Sequence, residues 1–311
     1  IDGFINEIFK KLKDLPKEKK IYEKEEKLNK THPEILKILL LDRTLSKPGK
    51  EKNIIWANDN YAYMNPKIYG PEVHMTVEAV TNGVGDIIQP RALKSNAVQK
   101  ERTKNKAEVF TPTWMVKLQN DGIDQEYIND SLEHYVKRIW LEITAGEAPY
   151  MATRYHMDSG EFIPIEQRVG FVDRKLRRIN EEINDKAEWQ RLTELAFKSS
   201  YGFEWSGDSL LLARENLLYT YVDYYVQKWN DKPSEGLLKE IATIISYNLF
   251  QMDGLKYEIP LSEKKEKIAV LQLDLFGEED EEEQWYVRPG KRVKIMNWEI
   301  NKMEFFDKGV N

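Results

Sequence analysis

The sequence contains no cysteine, which excludes disulfide bonds, thiolate metal sites and cysteine nucleophiles together. The same absence fits a cytoplasmic protein. Histidine is also scarce, and no two histidines have the spacing of a ligand pair on one helical turn, so no metal site is expected. The four histidines are His32, His74, His134 and His156.

Long apolar runs are missing as well. The run over residues 35–41 is interrupted by Lys37 and is far shorter than the roughly 20 residues that span a bilayer, so no membrane association is expected. No signal-peptide pattern follows Ile1. The net charge of −6 gives no overall attraction for nucleic acid, so any site for a polyanion must be local. A hydrophobic content of 41% indicates a folded globular protein.

Residues 107–173 combine three features of a nucleotide-type site. A Phe-Thr-Pro turn ends at Pro112, a strand-like run over residues 139–144 leads into an alanine-glycine pair, and a second strand-like run covers residues 169–173. In open α/β sheets, ligands bind at the carboxyl ends of the strands, where small residues let the backbone approach and an acid can hold a ribose hydroxyl. The pattern therefore predicts a ligand site in an α/β fold.

Composition divides the chain into segments. Phe4, Ile8 and Leu12 recur every four residues and predict an amphipathic helix near the start. Alternating β-like and α-like segments predict a parallel sheet with crossover helices in the middle of the chain. The predicted segments are a helical amino-terminal arm (1–52), a β-containing segment with a basic stretch (53–106), the main α/β domain (107–260), an acidic linker (261–284) and a C-terminal β-like segment (285–311).

A basic stretch lies just before the predicted site. It carries six basic residues against the single acid Glu101. A solvated helix or loop is one interpretation of such a stretch. The other is that it contacts DNA phosphates, since this is the most concentrated positive segment of an acidic chain. The six residues are Arg91, Lys94, Lys100, Arg102, Lys104 and Lys106.

Five motifs follow one another along the chain: AEVFTP (107–112), LEITAGEAPY (141–150), GFVD (170–173), GDSLL (207–211) and NLF (248–250). Together they resemble the motif series of adenine-specific DNA methyltransferases that methylate the amino group. Over residues 53–260 the chain looks most like the modification (M) subunits of restriction systems. This resemblance implies a Rossmann-like methyltransferase sheet, S-adenosylmethionine as cofactor, double-stranded DNA as partner, and association with a specificity or nuclease subunit.

The resemblance also implies roles for single residues. Thr111 and Pro112 would lie over the methionine part of the cofactor, and Glu142 would open the cofactor turn. Ala145 and Gly146 would let the backbone approach the cofactor closely. The remaining implied roles are the ribose acid at Asp173, the adenine contact at Asp208, and a catalytic pair formed by Asn248 and Phe250, which would bind and stack the extruded adenine.

The chain departs from this family at important positions. Ala148 replaces the second glycine of the cofactor turn, and Asp173 falls one residue later than expected. The catalytic tetrapeptide, residues 248–251, lacks both prolines. Two hypotheses follow: an active methyltransferase, and a non-catalytic methyltransferase-like DNA-binding subunit of a restriction or phage-defence system. A third, a nuclease with a metal-binding set around Asp173 and Lys175, has less support.

A short peptide near the C-terminus has its own interpretation. Residues 272–276, QLDLF, resemble the peptide by which bacterial replication and repair proteins dock on the DNA sliding clamp. In that case Gln272 would hydrogen-bond, and Leu273, Leu275 and Phe276 would provide the apolar side. The alternative is an edge strand over residues 270–276, with alternate side chains buried.

Overall fold

The computed structural model describes residues 32–81, 87–106, 111–273 and 279–308. The helices are α1 (Pro33–Leu40), α2 (Pro66–Tyr69), α3 (Val77–Thr81), α4 (Asn96–Lys106), α5 (Thr113–Asp124), α6 (Leu132–Lys137), α7 (Phe171–Glu182), α8 (Lys186–Lys198), α9 (Gly207–Trp229) and α10 (Glu235–Asn248). The strands are β1 (Trp140–Glu142), β2 (Ser200–Glu204), β3 (Leu249–Gln251), β4 (Lys264–Leu273), β5 (Glu279–Arg288), β6 (Lys294–Asn297) and β7 (Lys302–Phe305).

The centre of the fold is a parallel sheet in the order β1-β2-β3. Trp140 pairs with Ser200 at the start of the first ladder, and Gly202 pairs with Leu249 at the start of the second. Helices α7 and α8 connect β1 to β2, and α9 and α10 connect β2 to β3. The predicted mixed α/β fold with parallel strands is thereby confirmed, and all three strands end at the same edge of the sheet.

One predicted strand is a helix. Residues 169–173 were expected to be extended, but Gly170 is the N-cap of α7 and the chain is helical from Phe171 onward. Phe171, Val172 and Leu176 are all buried on this helix. A short apolar run fits a buried strand and a buried helix equally well, and the helical spacing of the following apolar residues decides between them.

The helices around the sheet share a core that is rich in aromatic rings. Trp189 of α8 meets the rings of Tyr221 and Tyr225 of α9, with ring centroids 6.0 and 5.6 Å apart. Arg214 of α9 is fully buried and donates to the carbonyl oxygens of Leu41 and Leu249 at 3.0 and 2.7 Å. This single guanidinium joins the residue after α1 to the start of β3.

The segment before the main domain is part of the same body. The Ile54 N–H donates to the Leu40 carbonyl at 2.9 Å. The side-chain amide of Gln251, the last residue of β3, accepts from the Ile55 N–H at 3.0 Å and donates to the carbonyls of Ile55 and Trp205. Residues 53–81 thus pack against the sheet as turns, isolated bridges and short helices, where short strands were expected. Residues 1–31 of the predicted arm lie outside the described residues.

The predicted acidic linker contains paired strands. β4 and β5 form an antiparallel hairpin that runs from the pair Lys264 and Arg288 to the pair Leu273 and Glu279. The linker prediction rested on composition alone, and composition does not show that two neighbouring segments pair as strands. Gln272 and Leu273 end β4, whereas Leu275 and Phe276 lie outside the described residues. Docking on the sliding clamp therefore stays a prediction.

Candidate functional site

A cavity of about 900 Å³ opens at the carboxyl ends of β1 and β2. This is the edge at which parallel α/β sheets bind their ligands. Its walls come from β1, the turn that follows it, the end of β2, helix α5 and the segment before α4. The residues that line it include Arg91, Lys94, Thr111, Glu142, Thr144, Ala145, Gly146, Glu147, Glu204, Trp205 and Ser206.

The turn after β1 has an unusual backbone. Thr144, Gly146 and Ala148 have positive φ values of 49°, 56° and 60°. Non-glycine residues rarely adopt this conformation, and residues held in it concentrate at ligand sites. The Ala145 N–H, which donates to the Phe203 carbonyl at 2.9 Å, ties the turn to β2. The backbone of this turn is thus fixed against β2 at the edge of the cavity.

Glu142, the last residue of β1, closes this turn. Its carboxylate is buried and accepts the backbone N–H groups of Tyr150 at 3.0 Å and Met151 at 2.9 Å. Burial raises the pKa of Glu142 to about 8, the two N–H groups oppose this rise, and the charge of Glu204 adds to it.

Glu204, the last residue of β2, is the acid that faces Glu142 across the strand ends. One carboxylate oxygen accepts the Gly146 N–H at 2.8 Å, and the other accepts the Ser206 N–H at 3.0 Å. Burial raises the pKa of Glu204, and the charge of Asp208 adds to this effect. Each oxygen keeps lone-pair capacity for a ligand hydroxyl. Sequence reasoning missed Glu204, although its position at the end of a strand-like GFE run was a signal for it.

Trp205 forms the wall next to Glu204. Its indole N–H donates to the Ala57 carbonyl at 2.7 Å, and 38% of the residue remains exposed. The hydrogen bond fixes the ring, so its exposed face can stack on a planar ligand. Glu147 of the turn is occupied differently: it accepts the Arg91 N–H at 2.7 Å and the Tyr155 hydroxyl at 2.6 Å.

Four of the predicted cofactor residues line the cavity, namely Thr111, Glu142, Ala145 and Gly146. Pro112 is the N-cap residue of α5 beside it. Asp173, the predicted ribose acid, does not line the cavity. It is fully buried in α7 and accepts hydrogen bonds from the N–H and the hydroxyl of Thr153 at 2.8 and 3.3 Å. The acid at the adjoining strand end is Glu204 instead.

Asp208 is also directed inward. It forms a buried salt bridge with Arg102 at 3.3 Å and accepts hydrogen bonds from Asn58 at 2.8 Å and from the Tyr61 hydroxyl at 3.0 Å. Burial opposes its ionisation, but Lys94, Arg102 and these hydrogen bonds hold the pKa of Asp208 below its usual value. Asp208 therefore fixes the start of α9 and is not among the residues that line the cavity.

The predicted catalytic pair lies away from the cavity. Asn248 directly precedes β3, at the amino edge of the sheet, and its amide donates to the carbonyls of Phe197, Lys198 and Ser200 at 2.8, 2.9 and 3.1 Å. Phe250 is buried against Phe203 and Phe306. Both side chains have structural partners, and neither lines the cavity.

The six residues of the basic stretch differ in their exposure and in their partners. Arg91 and Arg102 are buried and bind protein groups, Thr103 and Asp208 respectively. Lys94 lines both the main cavity and a second one of about 610 Å³ next to it. Lys100 and Lys104 are exposed on α4, and Lys106 is its last residue. The exposed members are the ones that can meet a phosphate backbone.

Comparison of the chain with protein-family models, curated proteins and solved structures gives no match. Across the described ranges, no group of three or more metal-ligating side chains could hold a metal ion. No helix within those same ranges is long and apolar enough to cross a membrane.

Proposed function

We propose that this chain is an S-adenosylmethionine-dependent, adenine-specific DNA methyltransferase subunit of a restriction-modification or phage-defence system. The observation that carries the proposal is the junction between the turn after β1 and Glu204 at the mouth of the 900 Å³ cavity. In this proposal β1, β2 and β3 are the core of a Rossmann-like methyltransferase sheet.

The donor set of the cavity fits an adenosyl group. The lone pairs that remain on Glu204 can accept both ribose hydroxyls, as an acid at this position does in other nucleotide-binding sheets. The exposed face of Trp205 suits the adenine ring. The turn around Gly146 leaves room for the methionine part, since nothing lies within 4 Å of the position that a Cβ would occupy there. When bound, the cofactor supplies an electrophilic methyl group.

The cofactor proposal is tested by calorimetric titration of the full chain with S-adenosylmethionine. We expect saturable binding that Glu204→Ala abolishes. The matched control is Glu240→Ala, which removes an exposed acid from α10, and we expect it to bind as the wild type does. A wild-type chain that is folded by circular dichroism yet shows no binding would contradict the proposal.

The DNA part of the proposal is supported by the resemblance and by the exposed lysines of α4. Each lysine that neutralises a phosphate contributes about one unit to the slope of log affinity against log salt. We expect the Lys100→Glu, Lys104→Glu double variant to bind duplex DNA more weakly and with a shallower slope. The control for charge is Lys302→Glu, which changes an exposed lysine on β7. Equal slopes for the double variant and the wild type would remove these lysines from the interface.

A second candidate function is a non-catalytic, methyltransferase-like DNA-binding subunit, which holds cofactor or DNA without chemistry. The inward-facing bonds of Asn248 and the burial of Phe250 favour it. A methylation assay with a radiolabelled methyl donor separates the two candidates. Transfer by the isolated chain excludes the second, whereas cofactor or DNA binding without transfer supports the second.

A further inference from the structure

We propose that a second copy of this chain pairs with the outer edge of β1 and joins two parallel sheets into one across a two-fold axis. β1 is an outer strand of its sheet, because the strand order is β1-β2-β3 and only β2 pairs with it in the described part of the chain. The inference goes beyond the proposed function and does not depend on which ligand the cavity binds. It assigns an interaction surface to the side of the cavity that Leu141 and Ile143 line.

The outer backbone groups of β1 are available for pairing. The Trp140 N–H donates to the Ser199 carbonyl at 3.0 Å, in a parallel register with β2. Because backbone groups alternate in direction along a strand, the N–H and carbonyl of Leu141 point away from β2. No hydrogen bond joins these two groups to another residue within the described ranges. Such an edge is a template for a further strand.

The side chains at alternate positions of this edge are apolar and exposed. Ile139, Leu141 and Ile143 are 74, 44 and 65% exposed. The two residues between them, Trp140 and Glu142, are buried. Parallel sheets are normally covered on both faces, and natural edge strands avoid exposed apolar side chains. The edge of β1 therefore has the character of an interface.

The order of these residues fits a second copy of the same edge. A two-fold axis that pairs one edge with itself makes the two strands antiparallel, and each contact then occurs twice. With Leu141 opposite its own copy, Ile139 lies opposite Ile143, so apolar side chains meet at all three positions. On the other face Trp140 lies opposite Glu142, so the pairing places no two like charges opposite each other.

The charges at the two ends of the strand also complement each other. In this register Arg138 of the second copy lies opposite Thr144, which lines the cavity. The Arg138 side chain is 45% exposed while it is paired with Asp130. The carboxyl end that it approaches carries the acids Glu142 and Glu204. Each copy thus brings a positive charge to the acidic rim of the other cavity.

Analytical ultracentrifugation of the full chain tests the inference. We expect a dimer at micromolar concentration, and a monomer for the double variant Ile139→Lys, Ile143→Lys, because lysines then oppose each other across the axis. The matched control is Leu255→Lys, at a residue that is 93% exposed away from β1, and it should remain a dimer. Circular dichroism verifies folding. A monomeric wild type overturns the inference and leaves this edge to a strand of another protein, and so does a folded double variant that is still dimeric. Neither result affects the cofactor proposal.

Cysteine cross-linking tests the register, because the chain has no cysteine of its own. Residues that exchange both hydrogen bonds across an antiparallel pair have Cα atoms about 5.5 Å apart, within reach of a disulfide. Leu141→Cys should therefore form a linked dimer on oxidation with copper phenanthroline. Ile139→Cys should link only when mixed with Ile143→Cys, since its own copy lies about 14 Å away along the strands. Leu255→Cys is the control and should stay unlinked. No linkage of Leu141→Cys, or linkage of Ile139→Cys alone, overturns the paired edge.

Discussion

The backbone N–H of Gly146 lies 2.8 Å from a carboxylate oxygen of Glu204, although 58 residues separate them in the chain. This bond joins the turn after β1 to the end of β2. The same carboxylate accepts the N–H of Ser206, the N-cap residue of α9. One acid thus fixes three chain segments around the cavity, and a change at any of them should alter the shape of the others.

Gly146→Ala should destabilise the fold and weaken ligand binding. A Cβ at this position meets nothing within 4 Å, so the cost comes from the φ of 56° and amounts to about 1 kcal/mol. Gly122→Ala is the matched control, because Gly122 lies inside α5, also in open space. That substitution should stabilise by about 0.5–1 kcal/mol. Urea denaturation measures both, and equal effects of the same sign would contradict the role given to the backbone of Gly146.

Arg102→Leu should destabilise the protein by up to about 3–5 kcal/mol, because it removes the salt-bridge partner of the buried Asp208 and leaves only the charge of Lys94 to act on it. The double variant Arg102→Leu, Asp208→Leu should recover part of this loss. Glu133→Gln, which breaks an exposed pair with Lys137, should have little effect on the melting temperature. A small loss in Arg102→Leu would mean that solvent reaches Asp208.

Asn248→Ala should act on stability and leave ligand affinity unchanged. Its amide donates to carbonyl groups at the C-terminal end of α8 and at the start of β2. Loss of these hydrogen bonds should lower the free energy of unfolding by about 1–3 kcal/mol. Chemical denaturation and calorimetric titration measure the two properties separately. Reduced cofactor affinity at unchanged stability would return Asn248 to the ligand site.

Glu142 should make stability decrease as the pH rises. Its pKa is about 8 in the folded protein, against 4.5 as the ordinary value, so between these limits the folded state binds more protons than the unfolded state. Its contribution to stability is therefore complete below pH 4.5 and is lost as the pH rises to 8, at up to about 1.4 kcal/mol per pH unit. Denaturation of wild type and Glu142→Gln between pH 5 and 9 should show a steeper decrease in the wild type than in the variant. Parallel curves would indicate that Glu142 has an ordinary pKa.

The sequence by itself determined the features that arise locally. The alternation of apolar and amphipathic segments predicted a parallel sheet with crossover helices, and the small residues after β1 predicted the turn. Thr111, Glu142, Ala145 and Gly146, which the resemblance indicated, all line the cavity, because they belong to that strand and turn or lie directly before α5. Short-range patterns suffice where the site is built from one stretch of chain.

Only the tertiary structure decided which distant residues join that turn. Asp173, Asp208 and Asn248 match motif positions, yet each is bound by protein groups that lie 20 to 150 residues away in the chain. Glu204 entered the site because parallel pairing sets the end of β2 beside the end of β1. Whether a polar side chain faces a cavity or a buried partner depends on long-range packing, which residue order alone does not specify.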